Sequence, residues 1–311
     1  MAYFIAPGTL STVSFTAVLP LTAFLAIVSL GQMLVVMTGG IDLSIPGTMT
    51  LAAFVTVGVA GGSSDNILPA LGMALGVSAL IGLVNGFLVG VIRLNALIVT
   101  LAVGQLVRGI LLRYATTVAN EASVPGALSQ WAIQQVFGAG WIFWIALITV
   151  VIVSLVLSNT GIGRRFRAVG ANQVAARISG LRVTSYVVMA YVVAAVLYGL
   201  AGFLAAAFIR SPTQGLGSPY LLGPIAAVVI GGASLSGGLA SVASTAMAAF
   251  FLTVLSQMLR VLGLSTDLQF VVFGLAIIGG MAVSGDRIVD MVEFLFQKRF
   301  SKNSEESHLA T

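Results

Sequence analysis

The chain has very few charged side chains and no cysteine. Of its 311 residues only 7% are charged, whereas 59% are hydrophobic. Average proteins carry about 25% charged residues, so an ordinary soluble domain does not fit this composition. Without cysteine there is neither a disulfide nor thiol chemistry, and cysteine usage therefore gives no information on the redox compartment.

Lysine and histidine are almost absent, and their positions exclude several kinds of active site. Lys298 and Lys302 are the only lysines, so no glycine-rich loop is followed by the lysine of a Walker A motif. The single histidine, His308, lies in the same tail, which excludes histidine zinc sites and a Ser-His dyad in the apolar part. The sequence also lacks two carboxylates that could share a proton within the apolar runs. We therefore predict neither an enzyme nor a metal or other cofactor in this chain.

Long apolar runs fill the sequence from residue 15 to residue 284. They lack the alternating polarity of β-barrel strands, so we predict an all-α, polytopic transmembrane bundle. With broken or re-entrant helices counted, about eight or nine spans are expected. The runs are 15–38, 45–60, 67–92, 94–112, 141–157, 183–209, 221–230, 240–259 and 268–284. Residues 1–285 are predicted to form the membrane domain and 286–311 a cytoplasmic tail.

Glycine spacing predicts close helix packing in the third run. Gly82, Gly86 and Gly90 are four residues apart and therefore share one helix face. Small residues on such a face let another helix approach closely. The partner helix could belong to the same chain or to another subunit, and the first is the simpler expectation.

The segment 161–182, GIGRRFRAVGANQVAARISGLR, contains five of the fourteen basic residues and no acidic residue. Such a basic connection between two apolar runs is expected in the cytoplasm, and the +5 net charge is interpreted as topology rather than nucleic-acid binding. We predict a short helix in it, with Asn172 as N-cap and Gly180 closing it in a left-handed conformation. The helix would either dock on another protein or serve only to orient the chain.

The run GGIDLSIPG, residues 39–47, interrupts the apolar sequence with glycines, a carboxylate and a proline. Broken helices are tolerated in a membrane only where protein or a cavity surrounds them. Asp42 could lie beside a substrate path, or Asp42 or Ser44 could cap the helix that begins near Ile45. A similar run, GGASLS, occurs 192 residues later at 231–236.

Matching breaks in two halves of a chain indicate a possible internal repeat and a central translocation path. The polar residues that we consider candidates for this path are Asp42, Ser44, Asn85, Thr100 and Ser234.

Several of these motifs resemble the permease subunits of bacterial ABC importers of the ribose/monosaccharide family. The GGIDLS run is similar to that family's most recognisable signature, and the resemblance extends from about Ser11 to Gly285. In segment 161–182 the matching positions are Gly161, Gly163, Arg164, Ala168, Val169, Gly170, Asn172, Ala175, Ala176 and Gly180. Elsewhere Asn85-Gly86, Thr100-Leu101 and Arg108-Gly109 match, whereas Ala96 and Leu97 stand where the family has proline and phenylalanine.

The resemblance implies a multi-pass protein of the bacterial inner membrane and several partners. These are a separate ATPase subunit that binds ATP and Mg²⁺, an extracytoplasmic sugar-binding protein, a second copy or paralogue of the permease, and the lipid membrane. No nucleic-acid partner is implied. The residues implied to contact the ATPase are Gly170, Asn172, Ala175, Ala176, Arg177 and Gly180. A span that usually precedes residue 15 in the family is not seen here.

The function class implied is import of a monosaccharide or a related small polar solute, including autoinducer-like sugar derivatives. The alternative is a stand-alone secondary transporter or channel. Such a protein normally needs charged or titratable groups along its path to couple ions, and Asp42 is the only strong candidate in the apolar runs. A permease driven by a separate ATPase needs no such groups.

Overall fold

The computed structural model describes residues 12–118, 123–264 and 266–284, so the predicted tail 286–311 lies outside the described residues. Apart from a two-stranded ladder, the regular structure in these ranges is helical. The helices are α1 (Thr12–Met37), α2 (Ile45–Ala60), α3 (Ile67–Gly86), α4 (Ala96–Val118), α5 (Gly126–Ile133), α6 (Trp141–Asn159), α7 (Gly161–Ala171), α8 (Gln173–Ile178), α9 (Val183–Ile209), α10 (Gly223–Ile230), α11 (Val242–Val261) and α12 (Thr266–Ser284). The antiparallel strands are β1 (Gln135–Val136) and β2 (Ala139–Gly140). Short 3-10 turns lie at Ser64–Asn66 and Ser218–Tyr220, and a π-helical turn, Phe87–Val91, extends α3.

Helix lengths confirm the predicted polytopic bundle with broken helices. Six of the described helices are long and apolar enough to cross a bilayer, and three further apolar helices are shorter. The 16 residues of α2 extend about 24 Å and the 8 residues of α10 about 12 Å, less than the roughly 30 Å of a hydrocarbon core. These two helices therefore begin or end inside the bundle.

The centre of the bundle is formed by α1 and α9. Helix α9 packs against α1, α2 and α3, while α1 also contacts α6, α10 and α11. Small residues make α9 narrow, so neighbouring backbones come close to it. A Cβ atom on Gly202, for example, would lie 2.9 Å from the Ala52 Cβ atom of α2. Every functional segment described below is attached to one of these two helices.

The glycine face of α3 packs against α9 of the same chain, as predicted. A Cβ atom on Gly86 would lie 2.9 Å from the Val188 Cα atom, and one on Gly90 would lie 3.2 Å from Val187 and Val188 side chains. Gly82 approaches the Tyr191 carbonyl oxygen in the same way. The seam is therefore an intrachain contact.

Two helices end with the same backbone geometry, α1 at the first break (residues 38–44) and α10 at the second break (residues 231–238). Gly39 has φ +82° and Gly232 has φ +81°, and each begins a Schellman motif. The N–H groups of Gly39 and Gly40 donate hydrogen bonds to carbonyl oxygens in the last turn of α1. Those of Gly232 and Ala233 do the same in the last turn of α10.

The structural correspondence pairs Gly39 with Gly232, an offset of 193 residues (232 minus 39), one more than the sequence match gave. Only the second residue after the last helical residue, Gly39 or Gly232, needs a left-handed backbone. The residue after it does not, so Ala233 can stand where Gly40 stands in the first break.

Candidate coupling surface and translocation path

The first half of segment 161–182, for which no helix was predicted, is the amphipathic helix α7. The Thr160 side chain caps it by accepting a hydrogen bond from the Gly163 N–H group at 3.3 Å. The buried residues recur at helical spacing and are Gly163, Phe166, Val169 and Gly170. This spacing is the signal that the sequence analysis missed, since the glycines and arginines of the segment gave it the composition of a loop.

The second half of the segment forms the predicted short helix, α8. The Asn172 Oδ1 atom accepts hydrogen bonds from the N–H groups of Val174 and Ala175, each at 2.9 Å, which confirms the N-cap. At the other end Gly180 has φ +81°, as predicted, and its N–H group donates to the Arg177 carbonyl oxygen at 3.0 Å. Both ends are therefore held by local hydrogen bonds, and α8 has a defined shape despite its length.

Helix α8 presents apolar side chains on its outer surface. Val174 is 69% exposed and Ile178 is 83% exposed, although both are aliphatic. Ala175 and Arg177 are also exposed beside them. We refer to these four residues as the α8 surface. Val174 and Ile178 are four residues apart and therefore share one face of α8, and an exposed aliphatic face in a segment that carries five arginines fits an interaction site.

Two of the residues predicted to contact a partner lie inside the protein instead. Ala176 is only 5% exposed, and Gly170 is buried. A helix of fewer than two turns needs one face to hold it against the bundle, and Ala176 occupies that face. Gly170 and Ala176 can therefore position the α8 surface but cannot contact another protein directly.

The segment is attached directly to both helix breaks. The Gln173 Nε2 atom donates a hydrogen bond to the Thr38 carbonyl oxygen at 3.0 Å, at the end of α1. Gly170 lies where any Cβ atom would overlap the Met37 carbonyl oxygen and come within 2.7 Å of the Gly238 nitrogen. The Gly238 N–H group in turn donates to the Met37 carbonyl oxygen at 3.0 Å. Displacement of α7 and α8 would therefore act on both breaks. The role of Gln173 could not be predicted from the sequence, because no local pattern shows which carbonyl its side chain reaches.

Four of the predicted path residues form one buried cluster around the first break. The Asp42 Oδ1 atom accepts hydrogen bonds from the Ser44 N–H group at 2.8 Å and from the Ser44 hydroxyl at 2.6 Å. The Asn85 Nδ2 atom donates to the Ser44 Oγ atom at 2.9 Å, and the Leu43 N–H group donates to the Thr100 Oγ1 atom at 2.9 Å. Asp42, Ser44, Asn85 and Thr100 are all fully buried.

The cluster also contains Gln32 and Tyr198, which the sequence analysis did not identify. The Gln32 Oε1 atom accepts hydrogen bonds from the Asp42 N–H group and the Tyr198 hydroxyl, both at 3.3 Å. Each of the two residues stands in a long apolar run, where spacing alone does not show what its side chain reaches. Of the two predicted capping residues, Asp42 binds the N–H group of Ser44 just before α2, whereas Ser44 makes no side-chain cap bond to that helix.

Hydrogen-bonding capacity remains unused in and beside this cluster. Four buried polar atoms here have no hydrogen-bond partner among the described residues: Asp42 Oδ2, Gln32 Nε2, Asn85 Oδ1 and the Tyr191 hydroxyl. Two of the four side chains offer donors and two offer acceptors, so a rearranged cluster could pair some of them. The cluster therefore fixes the backbone of the first break, and its unpaired atoms allow a second set of hydrogen bonds if the break moves.

Ser234, the remaining path candidate, is not part of the cluster. It lies half-buried in the second break, where its N–H group donates to the Leu239 carbonyl oxygen at 3.0 Å and its own carbonyl accepts from Gly237. The sequence repeat placed Ser234 and Asp42 at matching positions. The two breaks meet through backbone and glycine contacts rather than through these side chains.

Comparison with known proteins gives the family. The family described as branched-chain amino acid transport system, permease component, matches residues 14–281. The ribose import permease protein RbsC of Escherichia coli strain K12 is 33% identical over 273 residues, which cover 87% of this chain and 85% of the relative. The protein of the same name from Bacillus subtilis strain 168 is 34% identical over 287 residues, covering 90% and 87%.

A relative that is named for a different substrate is also similar. The autoinducer 2 import system permease protein LsrC of Yersinia pseudotuberculosis serotype O:1b is 30% identical over 272 residues, covering 88% of this chain and 77% of the relative. No solved structure matches significantly. The family match spans nearly all of the helices described above, and these include six long apolar ones. The chain is therefore a multi-pass inner-membrane protein that belongs to the family of branched-chain amino acid transport system permease components.

Proposed function

We propose that this chain is the permease subunit of an ATP-driven importer for a monosaccharide or a related small polar solute. One observation carries the proposal. Helix α8 exposes Val174 and Ile178, while the side chain of Gln173, in the first turn of α8, is hydrogen-bonded to the end of α1. A surface that receives motion from another protein needs both features. The relatives that import ribose and autoinducer 2 support this solute class.

The partners follow from this role. A separate ATPase subunit would bind ATP and Mg²⁺ and contact the α8 surface on the cytoplasmic side. A sugar-binding protein would deliver the solute at the opposite end, and a second permease copy or paralogue would complete the membrane part. This chain itself would hold no cofactor. The arginines of α7, which lie beside α8, fit the cytoplasmic assignment.

The contacts suggest how ATP-driven motion reaches the membrane part. The ATPase would move α8, and Gln173 would carry the movement to Thr38 at the first break. The close backbone contact of Gly170 with Met37 and Gly238 would carry it to the second break. Because packed backbones do not deform continuously, a small displacement here would shift α1 and α10 as units.

Reconstitution tests the proposal. In proteoliposomes that contain the permease, its ATPase and its binding protein, we expect uptake of at least one monosaccharide that requires ATP. The permease alone should show neither ATP hydrolysis nor uptake under a proton or sodium gradient. Accumulation by the permease alone under an ion gradient would contradict the proposal and favour a secondary transporter with Asp42 as its titratable group.

A further inference from the structure

A cavity of about 210 Å³ lies at the end of the bundle opposite α8. Ile209, the last residue of α9, lines it, whereas α8 lies just before the first residue of that helix. The 27 residues of α9 extend about 40 Å, which separates the two features by the thickness of the membrane. Helices α1, α11 and α12 supply most of the other walls, and the Leu216–Tyr220 region of the α9–α10 connection closes one side.

A polar stripe of α11 faces this cavity. Thr253, Ser256 and Arg260 are spaced by three and four residues, so they share one helix face, and Gln269 of α12 joins them. Thr253, Ser256 and Gln269 are each less than a tenth exposed. Polar side chains within membrane helices are costly unless they serve a bundle interior, a solute or an ion path. The Thr253 hydroxyl donates to the Ala249 carbonyl oxygen of α11 at 2.8 Å, and Ser256 and Gln269 are the other buried polar members of this stripe.

The rest of the lining determines which solute fits. The walls are otherwise apolar and include the rings of Phe24, Tyr220 and Phe273. An apolar wall with a few convergent polar groups is the usual form of a small-molecule site. Among the lining residues that the structure describes, Arg260 is the only charged one. The volume is below the roughly 300–1,000 Å³ of sites for drug-sized ligands, which selects a smaller solute.

We propose that this cavity binds the transported solute on the outer side of the permease, as a neutral, polyhydroxylated molecule of monosaccharide size. Its hydroxyls would hydrogen-bond with Ser256, Gln269 and Arg260, and its apolar face would pack on an aromatic ring. The inference rests on the proposed function. It differs from the path predicted through Asp42, whose cluster is fully buried.

Cysteine protection tests the site, since the chain has no native cysteine. Ser256→Cys is reconstituted with the ATPase and binding protein, and its modification by methyl methanethiosulfonate is followed by mass spectrometry. The reaction is repeated with D-ribose, D-xylose and D-galactose in turn. Val254→Cys is the matched control because it lies at the same depth, two residues away, outside the cavity lining.

We expect a transported sugar to slow modification of Ser256→Cys about tenfold or more at saturation and to leave Val254→Cys unchanged. Adding Gln269→Leu should raise the protecting concentration about tenfold, the effect of one lost hydrogen bond. Thr253→Cys gives the same readout if Ser256→Cys does not fold.

If the Ser256→Cys assembly takes up a sugar but no sugar slows its modification, the site is wrong while the proposed function stands. Protection by phospholipid alone, independent of sugar, would also overturn the site and identify a lipid pocket. If no sugar is taken up by the parent assembly either, the proposed function itself fails.

Discussion

Val174→Glu and Ile178→Glu are expected to abolish co-purification with the ATPase while the permease reaches the membrane in normal amounts. Both side chains point away from the bundle, so a carboxylate there costs the permease itself little. Inside an interface the same carboxylate is buried without a partner, at a cost of about 3–5 kcal/mol. Binding should therefore weaken about a hundredfold to several thousandfold, and uptake should be lost.

The controls separate docking from orientation. Arg165→Lys and Arg167→Lys keep the charge that orients the segment, and Val174→Leu keeps an apolar α8 surface; all three should bind the ATPase normally. Ala175→Glu, on the exposed face, should behave like the two Glu variants. Ala176→Glu should instead destabilise the permease, because Ala176 is buried in it. Co-purification and uptake at parental levels in the Ile178→Glu permease would leave the segment as a topology signal only.

Gln173→Glu should uncouple ATP hydrolysis from uptake. The Gln173 amide donates to the Thr38 carbonyl oxygen at the C-terminal end of α1, where the helix dipole is negative. A carboxylate cannot donate this hydrogen bond, and it is repelled by the Thr38 carbonyl oxygen and by the negative end of the α1 dipole. Losing this bond between α8 and the first break should cost about 1–3 kcal/mol, or about fivefold to 150-fold in uptake. The variant should still bind the ATPase and hydrolyse ATP.

Gln173→Lys distinguishes this role from a general effect of substitution. Lysine keeps an N–H donor of similar reach, and its charge suits the end of α1, so coupling should be retained. Gln134→Glu is a control at an exposed position of the α5–β1 connection, away from α8. The ratio of sugar molecules taken up to ATP hydrolysed is the measurement. Equal ratios for Gln173→Glu and Gln173→Lys would show that the hydrogen bond does not transmit the motion.

Features that depend on local chemistry could be predicted from the sequence. The N-cap at Asn172 and the left-handed Gly180 define α8 by short-range hydrogen bonds alone. The first break also depends on local chemistry, because the left-handed Gly39 ends α1. The glycine face of α3 does too, because its four-residue spacing lets another helix pack closely against it. In each case a few neighbouring residues contain the whole physical reason.

Features that depend on which helices become neighbours could not be predicted. Ser44 and Asn85 come together only because α3 packs beside the first break, and Gln32 of α1 reaches the Asp42 N–H group. Ser234 and Asp42 occupy the same position in the two similar sequence runs. The structure, however, matches the two breaks with an offset that is one residue larger. The polar stripe of α11 gains its meaning only from α12 and the α9–α10 connection, which close the cavity over it.

Chemical labelling of Ile178→Cys tests the central claim most directly, because the chain has no other cysteine. A membrane-impermeant maleimide should label it in inside-out vesicles and not in intact cells. Added ATPase should then slow labelling about a hundredfold or more in the vesicles, as a docked surface requires. Labelling from outside the cell, or labelling in the vesicles that saturating ATPase does not slow, would contradict the assignment of α8 as the docking helix.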